Sequence, residues 1–169
     1  WNTAAGRLAW RTSIYHTGTT IQPAGVAGFR IVPGADAEFE VLTDSALLLG
    51  PRAQEYEGIK LTVDGEGLAG TLNIRLEDDD PTRYTPAVVQ TKVDYGAGQS
   101  EIVVPWSSFP AGASDQPWPF ESIVLAGARP GSKPITIKSV ESIPLKQYPY
   151  YPILGASQGF GYINKFTDE

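Results

Sequence analysis

Two alternating runs separated by a Gly-rich reversal constrain this chain more than any other feature. In 59–63, Ile59, Leu61 and Val63 alternate with Lys60 and Thr62; in 72–76, Leu72, Ile74 and Leu76 alternate with Asn73 and Arg75. A period of two places the apolar side chains on one face and the polar ones on the other, the pattern of half-buried strands. Between the runs, Asp64-Gly65-Glu66-Gly67 supplies residues that tolerate positive φ, so the runs are expected to be neighbouring antiparallel strands. Ile102 and Val104 repeat the alternation downstream. The expectation is an all-β, two-sheet antiparallel β-sandwich. Its core should contain Ile59, Leu61, Val63, Leu72, Ile74, Leu76, Ile102 and Val104.

Further strands are expected at 8–15, with Leu8, Trp10, Thr12 and Ile14 on one face, and at 36–43, 84–93, 101–106, 120–126 and 135–143, while 29–32 is a short apolar stretch. The stretch 17–28 reads as a loop, and 46–49 as a strand or a helical turn. Pro86 assigns the 84–93 strand to an edge or a bulge. Arg129-Pro130-Gly131-Ser132 forms the last turn. The 18 glycines and 14 prolines, many of them between alternating runs, suit such a turn-rich fold. A sandwich over 1–143 is followed by a different segment, 144–169. There alternation fades, and Pro144, Pro149 and Pro152 accompany Tyr148, Tyr150, Tyr151, Phe160, Tyr162 and Phe166. This segment reads as an extended arm, laid on its own sandwich or reaching a partner through those aromatics.

The net charge of −6 opposes general nucleic-acid binding, which needs a basic face. No apolar run has the length of a membrane-spanning helix. The absence of cysteine removes thiol nucleophiles, disulfides and cysteine metal sites. With no methionine either, the chain reads as a processed protein, an excised domain or an incomplete record, with a removed targeting segment and an extracytoplasmic location as the expectation.

Little in the chain points to catalysis. The single histidine, His16, lies between a strand end and a polar loop and reads as solvated, and neither Ser13 nor Ser107-Ser108 has a nucleophile-elbow context. Asp78-Asp79-Asp80 offers oxygen ligands to a calcium ion, although the spacing is not that of an EF-hand and a solvated acidic turn is the plainer reading. No other cofactor is expected. A sugar-binding face needs an aromatic platform among hydrogen-bonding side chains. The candidate residues are Tyr84 with Lys60, Asn73, Arg75 and Gln90, on what alternation makes the polar side of the central strands.

Several of these stretches together resemble the complex I intermediate-associated protein family. It is related to β-glucan-binding carbohydrate-binding modules with a galactose-binding-like jelly roll. The resemblance lies in Tyr56-Glu57-Gly58-Ile59-Lys60-Leu61, Val63-Asp64-Gly65-Glu66-Gly67, Leu72-Asn73-Ile74-Arg75-Leu76 with Asp78 and Asp79, and Tyr84. It continues in Ile102-Val103-Val104-Pro105-Trp106-Ser107-Ser108-Phe109, the strand 121–127 and Ile135-Thr136-Ile137-Lys138-Ser139-Val140. It implies a non-catalytic protein that either assembles respiratory or photosynthetic membrane complexes or binds polysaccharide. The aromatic arm and the single platform aromatic favour an extrinsic subunit with protein partners; the alternative is a module for a β-glucan-type polysaccharide.

Overall fold

The structure, a computed structural model, describes residues 10–43, 56–77, 88–109 and 122–144. The described strands are β1 (Trp10–Thr12), β2 (Thr20–Ala24), β3 (Gly28–Val32), β4 (Glu38–Thr43), β5 (Tyr56–Asp64), β6 (Gly70–Glu77), β7 (Val88–Tyr95), β8 (Gln99–Pro105), β9 (Ser122–Ala128) and β10 (Ile135–Pro144). They form two five-stranded sheets, ordered β1-β4-β9-β6-β7 and β2-β3-β10-β5-β8, with every pairing antiparallel. The sheets pack face to face as a β-sandwich, and all eight residues assigned to the core by alternation are buried. Phe29 and Ile31 of β3, Phe39 and Val41 of β4, Ile123 and Leu125 of β9, and Ile135, Ile137 and Val140 of β10 complete it. Trp10 closes one side, its ring 5.0 Å from that of Phe29.

One expected pairing is corrected. β5 and β6 are not hydrogen-bonded neighbours: β5 pairs with β10 and β8, whereas β6 pairs with β7 and β9 in the other sheet. The Asp64–Gly67 reversal is therefore an arch that crosses the sandwich. Alternation determines which face of each strand is apolar, but two such faces can share one sheet or oppose each other across the core. The arch is held by the β7–β8 loop: the Gly65 and Gly67 amides donate to the carbonyls of Gly98 (3.2 Å) and Ala97 (2.8 Å). A Cβ on Gly65 would collide with the carbonyls of Gly96 and Leu68, so the closeness of this backbone demands glycine.

Other corrections are local. The first strand stops at Thr12, and Ile14, expected to share a face with Trp10, is exposed because residues 13–19 turn back over β4. The Ser13 amide donates to the Glu40 carbonyl (3.0 Å) and the Thr19 hydroxyl to that of Glu38 (3.3 Å). The presumed 17–28 loop contains β2; its Pro23 is tolerated because β2 is an edge strand. In β10 a register shift between Ile137 and Ser139 marks a bulge, which lets Ile137 and Val140 both point inward despite odd spacing.

One end of the sandwich is organised by Arg129, which is fully buried. Its guanidinium donates to the carbonyls of Leu68 (2.7 Å), Gly65 (2.5 Å), Pro134 (2.5 Å) and Lys133 (3.1 Å) and to the Tyr95 hydroxyl (3.0 Å). The same cation lies 5.7 Å from the Tyr95 ring centroid. The β5–β6 arch, the end of β7 and the β9–β10 turn thus share one internal cation.

On the outer face of the second sheet, Arg30 forks onto Glu66 at 2.7–3.1 Å, and the Thr136 hydroxyl donates to the same carboxylate at 2.6 Å. The Arg30 hydrogen bond holds the Glu66 carboxyl below the usual glutamate value. The Glu66 amide, and secondarily Lys138, do the same for Asp64. A carboxylate with a depressed folded-state pKa contributes stability above its unfolded pKa and loses it as pH falls through the folded value. Urea midpoints measured from pH 7 downward should therefore decline once pH passes below the ordinary carboxylate range. Glu66→Gln should flatten part of that decline; a variant with the same acid slope as the parent would remove the pair from this role.

Candidate functional site

The outer face of the first sheet carries the candidate site. Alternation turns Glu38 and Glu40 of β4, Ala126 and Ala128 of β9, Thr71, Asn73 and Arg75 of β6, and Gln90, Lys92 and Asp94 of β7 to this side. Register aligns Glu40, Ala126, Asn73 and Lys92 into one row across four strands. The β9 members are alanines, flanked by the long side chains of β4 and β6, so the face is hollowed along β9. The result is an open groove of about 470 Å³, with His16 and Glu38 among its lining.

Its charged groups are largely committed to one another. Arg75 donates to Glu40 at 2.7 Å and to Glu77 at 3.1 Å. This bond compensates for the burial of Glu40, whose residue is 8% exposed. Thr71 donates to Asp94 at 2.7 Å, and the Asn73 amide nitrogen to the Gln90 side-chain oxygen at 3.3 Å. The one side-chain oxygen of Asn73, Oδ1, has no partner among the described residues although it is buried. His16 Nδ1 lies 3.3 Å from Asp36 and 3.8 Å from Glu38, with its side chain only 21% exposed. The expectation of a solvated histidine is thus corrected: the 13–19 turn folds this residue onto β4.

The sequence-predicted ligand residues divide. Asn73, Arg75 and Gln90 share the groove face, Arg75 in register with Gln90. Lys60 does not join them; it lies on the other sheet, its ammonium 3.3 Å from Glu141, because β5 and β6 belong to different sheets. Tyr84, the calcium candidates Asp78, Asp79 and Asp80, and the arm residues Tyr148, Tyr150, Tyr151, Phe160, Tyr162 and Phe166 lie outside the described residues. Among the described residues, no cluster of His, Asp or Glu is suited to hold a metal ion, and no helix is long and apolar enough to cross a membrane. Sequence reasoning missed His16, Glu38 and Glu40 as groove residues. The outward spacing of the two glutamates was the available signal, but nothing local showed that β9 would separate them from Arg75.

No protein-family model matches the chain, and no curated protein matches it. Solved structures do. A family 11 carbohydrate-binding module from Clostridium thermocellum, in complex with a beta-1,3-1,4-mixed-linked tetrasaccharide, matches with a TM-score of 0.60 at 12% identity, over 82% of this chain and 86% of that one. A family 30 carbohydrate-binding module matches with a TM-score of 0.55 at 10% identity, over 92% and 87%. PfGH50B matches with a TM-score of 0.60 at 8% identity, over 83% of this chain and 23% of the other. The reading as an extrinsic assembly subunit of a membrane complex is corrected by these likenesses, which are to carbohydrate-binding modules, and no match supports the complex I intermediate-associated family. The residues that carried that resemblance are mostly core and turn positions, which encode the sandwich that such families share rather than a docking site. The chain has the β-sandwich fold of the carbohydrate-binding modules.

Proposed function

We propose that this domain is a non-catalytic carbohydrate-binding module that takes a neutral polysaccharide of the β-glucan type along the groove of the first sheet. The observation that carries the reading is the groove itself: an open channel across a sheet face, floored by alanines and walled by hydrogen-bonding side chains. An open channel admits a segment of polymer without requiring its end, and amide, guanidinium and ammonium groups match sugar hydroxyls. Charge favours a neutral chain, since Asp36, Glu38, Glu40, Glu77 and Asp94 outnumber Arg75 and Lys92 on and beside this face. The commitment of Glu40 to Arg75 leaves it poorly suited to proton transfer, which supports binding rather than hydrolysis. Tyr84 remains the proposed stacking platform, and an extracytoplasmic setting, where polysaccharides are met, is proposed with it.

Affinity electrophoresis against mixed-linkage β-glucan, xylan and galactan tests the reading. The β-glucan gel should retard the unmodified protein. Ala126→Gln, which places a long side chain on the groove floor, should weaken retention about tenfold or more, equivalent to about 1.4 kcal/mol. Lys60→Ala, on the opposite sheet, should leave it unchanged. Migration of the unmodified protein unaffected by every polymer would refute the proposal.

A further inference from the structure

We infer that Asn73 and Lys92 form a hydroxyl-reading subsite within the groove, the place where a bound sugar is held by direct hydrogen bonds; the inference rests on the carbohydrate reading and assigns that reading its anchor. Asn73 lies at the middle of the groove row, between Ala126 on β9 and Lys92 on β7. Its amide nitrogen donates to Gln90, while its oxygen is buried and unpartnered among the described residues. A buried polar atom without a partner burdens the free protein, so its presence on a groove wall calls for a group arriving from outside. Exchanging oxygen and nitrogen in both amides leaves the Asn73 nitrogen as the unpartnered atom instead. A sugar hydroxyl, which donates and accepts, satisfies either arrangement.

Lys92 is the second half of the subsite. It is exposed, directly opposite Asn73 in the ladder, and no hydrogen bond or ion pair holds it among the described residues. The other long side chains nearby are committed: Arg75 to Glu40 and Glu77, and Gln90 to Asn73. The Asn73 oxygen is shielded, so a ligand reaches it only when a neighbour gives way. Lys92 can move without breaking a bond to any described residue. Directly opposed positions on adjacent strands place their Cβ atoms roughly 4.5–5.5 Å apart, a span across which an amide and an ammonium can address neighbouring hydroxyls of one sugar ring. A carboxylate ligand would suit Lys92 alone; a pair of hydroxyls suits both residues.

The test compares the unmodified protein with Asn73→Ala, Lys92→Ala and Lys60→Ala by calorimetric titration with soluble mixed-linkage β-glucan, and by thermal melting without ligand. Asn73→Ala should weaken binding about tenfold or more while its melting temperature equals or exceeds that of the parent, because the substitution removes an unsatisfied buried group. Lys92→Ala should weaken binding severalfold at unchanged melting temperature, and Lys60→Ala should change neither. If the unmodified protein binds and Asn73→Ala binds equally well, the subsite is refuted while the carbohydrate reading stands. Loss of binding that appears only with a lowered melting temperature refutes it too, since Asn73 is then a structural residue. Failure of the unmodified protein to bind β-glucan or any other polysaccharide overturns both proposals together.

Discussion

Replacing Arg129 with methionine should lower the stability of the domain by about 3 kcal/mol or more, because each buried acceptor left without its donor costs about 1–3 kcal/mol. The isosteric part of the side chain would remain, so packing changes little. The carbonyls of Gly65, Leu68, Lys133 and Pro134 and the Tyr95 hydroxyl would lose their donor, and the bonds to Gly65 and Tyr95 are buried. Single domains are stable by about 5–15 kcal/mol, so the substitution removes a large fraction of the total. Arg129→Lys should rescue only part, because three ammonium protons on a single nitrogen cannot span acceptors arranged around a planar fork. Urea unfolding provides the measurement, read as a shift of the midpoint at constant slope. A methionine variant that unfolds at the parental midpoint would show that the clamp contributes nothing net.

Ile74→Ala should be nearly as damaging, at about 2–5 kcal/mol, through lost burial and the cavity left behind. Ile74 is fully buried, in register with Thr91 on β7 and Leu125 on β9, so the hole would open in the middle of the first sheet's inner face. Val103→Ala supplies the contrast. Val103 is 60% exposed on the outer side of β8, and its truncation should shift the midpoint little. Comparable losses at the two positions would mean that the inward register of β6 has been misjudged.

The core was legible from sequence because burial in a sandwich is written in a period of two, and each strand carries its own copy of that signal. Phe39 and Val41 against Glu38 and Glu40, or Ile74 against Asn73 and Arg75, need no knowledge of partners. Pairing was less legible. Nothing in Asp64-Gly65-Glu66-Gly67 distinguishes a hairpin from an arch; the difference lies in carbonyls of the β7–β8 loop that accept from it. That single ambiguity sent Lys60 to the same face as Asn73, when the two lie on opposite outer surfaces. The groove was half visible for a related reason. Asn73, Arg75 and Gln90 sit on paired strands, whereas Glu40 meets Arg75 only because β9 inserts between β4 and β6. Arg129 carried no advance notice. Beside Pro130 and Gly131 it reads as an ordinary turn residue, and its acceptors come from segments far apart in the chain.

The position of β10 has a consequence for the order in which the molecule can be made. It is the middle strand of the second sheet, paired with β3 on one side and β5 on the other. Until the ribosome has delivered residues 135–144, the β2–β3 and β5–β8 pairs have no common partner, and each keeps an open edge. At elongation rates of about 5–20 residues per second, the interval between completing β8 at Pro105 and beginning β10 at Ile135 is on the order of a few seconds. Throughout that time the nascent chain offers two unsatisfied ladders, the kind of template that recruits another chain. The polar outward residues of those strands, Arg30 on β3 and Lys60 on β5, keep their charges in solution during the wait and oppose such recruitment. Vectorial synthesis therefore places the joining of the second sheet after all four of its other strands have been made, with a waiting period that a chaperone can occupy.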